Sequence, residues 1–321
     1  MASRMAGIEP AFPSPLPLEE VPARFRELIG LDVIPDQVDF TAAATVVEDG
    51  LALTRLTFRN CLGESVHAIS ILPATPAGTL PGVICTNGTA STAEDVAHPE
   101  YHRKTPHKGP LYGWGREMAR RGFAVLTFTP KGAAARRGTV EAWEEEQRLL
   151  LPFGRSQVAV IADEAVRATR VLGALDGVDS GRIGLTGMSL GGWTSWLGMV
   201  AAPWVKTAAP IAGGLGTLRA NIDHGLVWRH SSFCFVPHML RYFDHPQLIA
   251  AAVAPRPFMM VAPLEDEDMP ADGVDEFVDY VSGVYERAGV PERFLVHRPP
   301  GHHVFTMQYF EWAVEWFKRW L

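Results

Sequence analysis

The stretch RIGLTGMSLGGW, residues 182–193, is the most restrictive passage of this chain. It starts as a short apolar run of strand type and passes through Ser189, with Gly187 and Gly191 two residues to either side. It then enters LGGWTSWLGMVAA, where Leu190, Trp193 and Leu197 repeat at helical spacing. The pattern predicts a strand, a tight turn at Ser189 and a helix. So sharp a turn lifts its side chain clear of the backbone, and a Cβ at 187 or 191 would collide with it. The helix start also sets partial positive charge and backbone N–H groups beside the hydroxyl, which favours an oxyanion formed there.

The rest of the chain supplies a matching frame. Strand candidates are TVVEDG, LALTRLTF, SVHAISIL, GVICTN, FAVLTF, RIGLTG, VKTAAPIAG, PFMMVA and RFLVHR, the later ones continuously apolar as in strands covered on both faces. Between them, Val158, Ile161, Ala165, Ala168, Leu172 and Leu175 form one helical stripe, and Tyr309, Ala313, Trp316 and Trp320 another. The expected class is α/β, with a mostly parallel central sheet and helices on both faces. Such sheets bind ligands beyond the carboxyl ends of their strands. With 321 residues, 47% of them hydrophobic, the chain can bury one large core. Residues 10–22 hold five prolines and no periodicity, so 1–40 is expected to be an arm packed on a single domain of 41–321.

Several function classes fall away. The net charge of -7, without a basic cluster, argues against nucleic acid. Cys61, Cys85 and Cys234 form no paired motif and suit a reducing compartment. No apolar leader core or membrane-length run is present, so a cytoplasmic protein without membrane contact is expected. His98 and His102 stand four apart, with His107 beyond, but a surface loop is the expectation there and no metal site is assigned. GWGREM, residues 113–118, has methionine in place of the third glycine of a dinucleotide-binding turn and precedes its strand.

A serine hydroxyl needs a base to take its proton and a carboxylate to orient that base. Both candidates follow later strands. After PFMMVA comes PLEDEDMP, residues 263–270, with Glu265, Asp266, Glu267 and Asp268, and after RFLVHR comes PPGHHVF, residues 299–305, with His302 and His303. The order Ser, acid, His is the one that a strand-turn-helix nucleophile requires.

At this point the sequence resembles the α/β-hydrolase superfamily, and within it the dienelactone hydrolase and acetyl xylan esterase-like branch. The resemblance covers roughly residues 80–321 and rests on TNGTAS, RGFAVLTFTPKG, a helix with Asp163, VDSGRIGLTGMSLGGW, YFDHPQLIAAAVAPRPFMM and PPGHHVF. The APRP segment is the most branch-specific of these. The resemblance implies Ser189 as nucleophile and Asp266 as acid, since members often read Gly-x-x-Asp-x-x-x-Pro. Pro263 replaces the usual glycine, which keeps Asp268 and Glu265 as alternatives. The His-x-Phe pattern fits His303 with Phe305, and His302 is the alternative. Implied oxyanion donors are the backbone N–H groups of Leu190 and Thr89, with Asn87 where the family commonly has histidine.

The expected function is acyl transfer from a carboxylic ester to water through an acyl-serine, without metal or organic cofactor. The same residues could serve a thioester, amide, lactone or carbon–carbon bond, and a silent binding scaffold is the reading from another class. The expected partner is a small-molecule ester, and a homodimer stays open. About 40 residues, near 213–255, separate VKTAAPIAG from PFMMVA and are expected to be a lid-like insertion after the sixth sheet strand. Its Trp228, His230, Phe233, Phe235, His238 and Tyr242 are candidate pocket residues.

Overall fold

The computed structural model of the chain describes residues 7–98 and 113–321. Its strands are β1 Phe40–Ala42, β2 Val46–Glu48, β3 Leu51–Arg59, β4 Ser65–Pro73, β5 Leu80–Thr86, β6 Ala124–Phe128, β7 Val178–Met188, β8 Thr207–Ile211, β9 Phe258–Val261 and β10 Phe294–His297. Its helices are α1 Val21–Ile29, α2 Ala93–Ala97, α3 Trp114–Arg120, α4 Val140–Leu150, α5 Gln157–Gly173, α6 Leu190–Ala201, α7 Leu218–Asp223, α8 His245–Ala252, α9 Ala271–Arg287 and α10 Met307–Trp320. All the strands join one sheet in the order β1-β3-β4-β6-β5-β7-β8-β9-β10, with β2 beside β3. Pairing is antiparallel from β1 to the β4–β6 pair and parallel from β6 through β10.

Every residue of β6, β8 and β9 is buried, as expected of strands covered on both faces. One layer packs α5, α6 and α9 on the sheet through Val166, Leu197 and Phe277, and α1 and α8 join the same core through Phe25 and Leu248. The other packs α2, α3 and α10 through Val96, Met118 and Phe310. The nine strand candidates read from the sequence all become strands. The three-residue β1 carries too little apolar pattern to announce itself.

Three expectations change. Helix α5 is buried almost all round, not along one stripe, because it lies against both the sheet and α6; its Asp163 and Glu164 are fully buried. Leu175 falls past its end. Near the N-terminus, Ser14 and Leu16 donate backbone hydrogen bonds to Arg241 and Tyr242, as an extended arm would. The chain then forms α1, whose Val21, Phe25 and Ile29 enter the main core. Finally, the 213–255 segment follows β8, the eighth strand in chain order and not the sixth.

The APRP segment has a packing role. Arg256 donates to the carbonyls of Met199, Ala202, Val205 and Ala252 at 2.6–2.9 Å, and so closes the ends of α6 and α8. Burial pushes its guanidinium down to about 10, which still leaves it charged at neutral pH. Replacing Arg256 with Ala should strand these carbonyls and cost about 2–3 kcal/mol, read as a lower urea midpoint with unchanged slope.

Candidate active site

Strand β7 delivers its last residue, Met188, directly to Ser189, and α6 begins at Leu190. Ser189 has φ 58° and ψ -119°, a backbone region that non-glycine residues rarely occupy. The crowding that enforces this is measurable. A Cβ on Gly187 would lie 2.3 Å from the Thr86 carbonyl oxygen, and one on Gly191 only 2.1 Å from the same atom. The β5 end is thus pressed into the bend, and Thr86 Oγ1 donates to the Gly191 carbonyl at 3.2 Å. Ser189 N–H donates to Ile211 O at 3.0 Å, tying the bend to β8 as well.

The loop after β5 carries Asn87, Gly88 and Thr89 over the serine. A Cβ on Gly88 would sit 3.0 Å from the Ser189 Cβ. Asn87 is buried and accepts from Trp114 Nε1 at 3.0 Å, while Trp114 meets Phe305 edge-on at 5.2 Å. Asn87 therefore anchors its loop to the wall carrying the histidine turn. The Thr89 carbonyl accepts from Ala134 N–H at 2.7 Å, which fixes that peptide against the loop after β6.

The β6 loop is held in turn by buried charge. Glu164 accepts from Arg136 at 2.5 and 2.8 Å, from Asn60 at 2.8 Å and from the Lys131 N–H at 2.9 Å. Lys131 Nζ lies 2.7 Å from both Glu64 and Glu146. These hydrogen bonds on one buried carboxylate replace its hydration shell and offset the cost of burying it.

The acid and histidine turns follow β9 and β10, and their backbones continue the parallel pairing as a seam. Leu264 N–H donates to Pro299 O at 2.9 Å, and Glu265 N–H to Gly301 O at 3.0 Å. Across this seam His303 Nδ1 lies 3.0 Å from each oxygen of Asp266. Asp266 is 8% exposed and also accepts from the Asp268 N–H at 2.9 Å. Burial alone would push the His303 imidazole down, but the Asp266 hydrogen bond and charge, with Asp268 and Glu267 nearby, raise it above the ordinary value.

The alternatives occupy other positions. His302 is exposed and sits against Glu265 and Glu267. Asp268 reaches His303 Nδ1 only at 3.7 Å and instead accepts from Arg229 Nε at 3.2 Å. Asp266, Asp268 and His303 offer donor atoms within 4.8 Å of one another, close enough for a cation. Asp266 spends both oxygens on Nδ1 and Asp268 turns one to Arg229, so the set reads better as an oriented histidine. His98 Nε2 lies 3.3 Å from Glu94, and His102 and His107 lie outside the described residues.

Two cavities meet at Ser189, His303, Asp268 and Thr89. The smaller, about 140 Å³, adds Leu190, Arg137, Trp143, Trp193, His230 and Phe233. The larger, about 250 Å³, adds Asn87, Ser91, Met188 and Phe305. Of the pocket candidates in the 213–255 segment, His230 and Phe233 wall the smaller cavity. The others require correction. Trp228 is 78% exposed; His238 and Phe235 line a separate cavity with Ile8 and Pro10; Tyr242 packs under the Arg24 guanidinium at 5.0 Å. Between α7 and α8 the segment runs as short 3-10 turns, so neighbouring residues point to different surfaces.

No protein-family model matches the chain. Over 211 residues, 64% of this chain and 67% of the other, it is 25% identical to "Putative hydrolase YtaP" of Bacillus subtilis (strain 168). Among solved structures it is similar to a putative acetyl xylan esterase from Bacteroides fragilis NCTC 9343, with TM-score 0.72, 14% identity and 94% and 86% of the two chains covered. It is also similar to the glucuronoyl esterase from Solibacter usitatus, with TM-score 0.70, 16% identity and coverage of 94% and 91%. The chain has the α/β-hydrolase fold.

In an α/β-hydrolase fold, loops at the carboxyl ends of the strands build the site, and two of the cavity residues that the sequence reading misses, Gly132 and Arg137, come from such a loop. Gly132 has φ 90° and lies so close to Trp143 that a Cβ would stand 2.8 Å from the ring. Arg137 ends the same loop. Their signal is the position of TPKGAAARR immediately after FAVLTF, at the sheet edge that the serine also occupies. Trp143 and Trp193 give no signal beyond helical spacing.

The steric origin of the elbow is testable by one methyl group. Gly191→Ala should destabilise the protein by about 3 kcal/mol or more, since neither the Thr86 backbone nor the bend can yield. Gly78→Ala, where a Cβ meets nothing within 4 Å, should leave the urea midpoint unchanged.

Proposed function

We propose that this protein hydrolyses carboxylic esters by a serine mechanism, with Ser189 as nucleophile, His303 as base and Asp266 as its orienting acid. One observation carries the reading: His303 holds Asp266 through Nδ1 at 3.0 Å while sharing both cavity walls with the strained Ser189. Binding Nδ1 to the carboxylate fixes the tautomer and leaves Nε2 as the ring nitrogen able to take a proton. The hydrolase and esterase descriptions of the similar proteins agree with this choice of bond.

In the proposed sequence, His303 takes the Ser189 proton as Oγ attacks the ester carbonyl. The resulting oxyanion accepts from the backbone N–H groups of Leu190, at the start of α6, and Thr89. Donors of this kind are typically worth about 2.7–4 kcal/mol each to the transition state. The imidazolium, stabilised by Asp266, then protonates the departing alcohol and leaves an acyl-serine. Water loses a proton to His303, attacks the acyl carbon, and restores the Ser189 hydroxyl as the carboxylic acid leaves.

Ser189→Ala should lower ester turnover by around a million-fold, measured against a panel of acyl and alcohol groups. Activity retained in that variant would place the chemistry elsewhere. The pH dependence has a definite sign. Imidazolium cannot accept the serine proton, so kcat/KM should fall as pH drops through the His303 pKa, with a midpoint above the ordinary histidine value of about 6.5. In Asp266→Asn the acid limb should move to lower pH and the plateau should fall, because the group that raises the imidazole is gone.

A further inference from the structure

One wall of the smaller cavity is built by Arg229, His230, Phe233 and Cys234, and it is fastened at two ends. At the apolar end Phe233 meets Trp143 edge-on at 5.8 Å and Trp193 at 5.7 Å, and the Ser232 N–H donates to Glu144 at 3.2 Å. At the polar end both fasteners converge on one residue. Arg229 Nε donates to Asp268 Oδ1 at 3.2 Å, and His230 Nε2 donates to the Asp268 carbonyl at 2.8 Å. Burial pushes the His230 imidazole down, consistent with a neutral ring giving its one N–H to that carbonyl.

Asp268 is therefore not a spare acid. Asp266 already occupies His303 Nδ1 with both oxygens, which frees the Asp268 carboxylate to hold the wall. Asp268 also lines both cavities, so whatever it holds decides how far the smaller one opens beside Ser189. The wall consists of two 3-10 turns: Ser232–Cys234 is set in the core through Phe233 and Cys234, whereas Leu226–Arg229 buries no residue, and His230 beside it adds an edge-on contact with Phe235 at 6.4 Å.

We propose that the clasp of Arg229 and His230 on Asp268 is the specificity-determining device of this site, setting the largest acyl group that the smaller cavity admits. The inference rests on the ester-hydrolase reading. With the clasp closed, the wall stands against Trp143 and Trp193 and only a short acyl group fits beside the serine. Once neither Arg229 nor His230 holds Asp268, Phe233 remains as a hinge, and the His230 end swings out to admit a longer chain.

The test compares acetyl and octanoyl esters of one alcohol in the full-length protein, for wild type, for Arg229→Met, which keeps the aliphatic stem but cannot donate to Asp268, and for Arg229→Met combined with His230→Phe, which removes both fasteners. The octanoyl-to-acetyl ratio of kcat/KM should rise about ten-fold or more in the double variant and by less in Arg229→Met, since each methylene that meets a pocket counts for roughly that much discrimination. The acid limb of the pH profile should not move to lower pH, because His303 keeps Asp266 and the Asp268 carboxylate stays beside it. Ser189→Ala is assayed alongside. Turnover that is Ser189-dependent with an unchanged ratio, or that falls equally for both esters, overturns the clasp alone. Turnover that survives Ser189→Ala overturns the ester-hydrolase reading and the clasp with it.

Discussion

The Thr86 carbonyl oxygen, wedged against Gly187 and Gly191, is the constraint on which the site depends. Backbone pressed that closely leaves no room for a side chain, and the bend between β7 and α6 is held with Ser189 at φ 58°. A residue in such a conformation costs of order 1–3 kcal/mol and persists only where its surroundings over-determine it. Here the surroundings are the β5 end on one side and the Ile211 carbonyl on the other. The same packing that strains the serine starts α6 at the very next residue, Leu190.

The remaining parts arrive by extension of the sheet. Strands β9 and β10 pair in parallel, and their hydrogen bonding continues into the loops beyond, through Leu264 with Pro299 and Glu265 with Gly301. That seam brings Asp266 opposite His303 without requiring either loop to carry a helix or strand of its own. On the other flank, the buried Glu164 with Arg136, Asn60 and Lys131 fixes the β6 loop, and through Ala134 the Thr89 peptide. Rigid scaffold thus reaches the cavity from three directions, while the fourth wall is a run of short turns.

What is legible in the sequence follows from periodicity. The buried strands and the glycine-flanked bend are readable because apolar runs and paired glycines are local signals with local causes. Helix α5 misleads, since a helix enclosed on several sides buries polar residues too, and Glu164 looks like a solvent-facing residue until Arg136 is placed beside it. The choice between His302 and His303 rests on one local cue, the His-x-Phe pattern that favours His303; in the fold His302 stands exposed beside Glu265 while His303 meets Asp266. Trp228, His238 and Tyr242 stand out by residue type alone in a segment without a regular period, where type says little about direction. Arg137 and Trp143 belong to the cavity only because separate loops converge there.

The strained serine and its oriented histidine are tested most directly by a crystal structure of the protein after reaction with a fluorophosphonate. The geometry predicts phosphorus bonded to Ser189 Oγ, with the non-bridging oxygen accepting from the N–H groups of Leu190 and Thr89, and His303 Nδ1 still on Asp266. An unmodified Ser189, or an adduct whose oxygen points away from both N–H groups with His303 detached from Asp266, would contradict it.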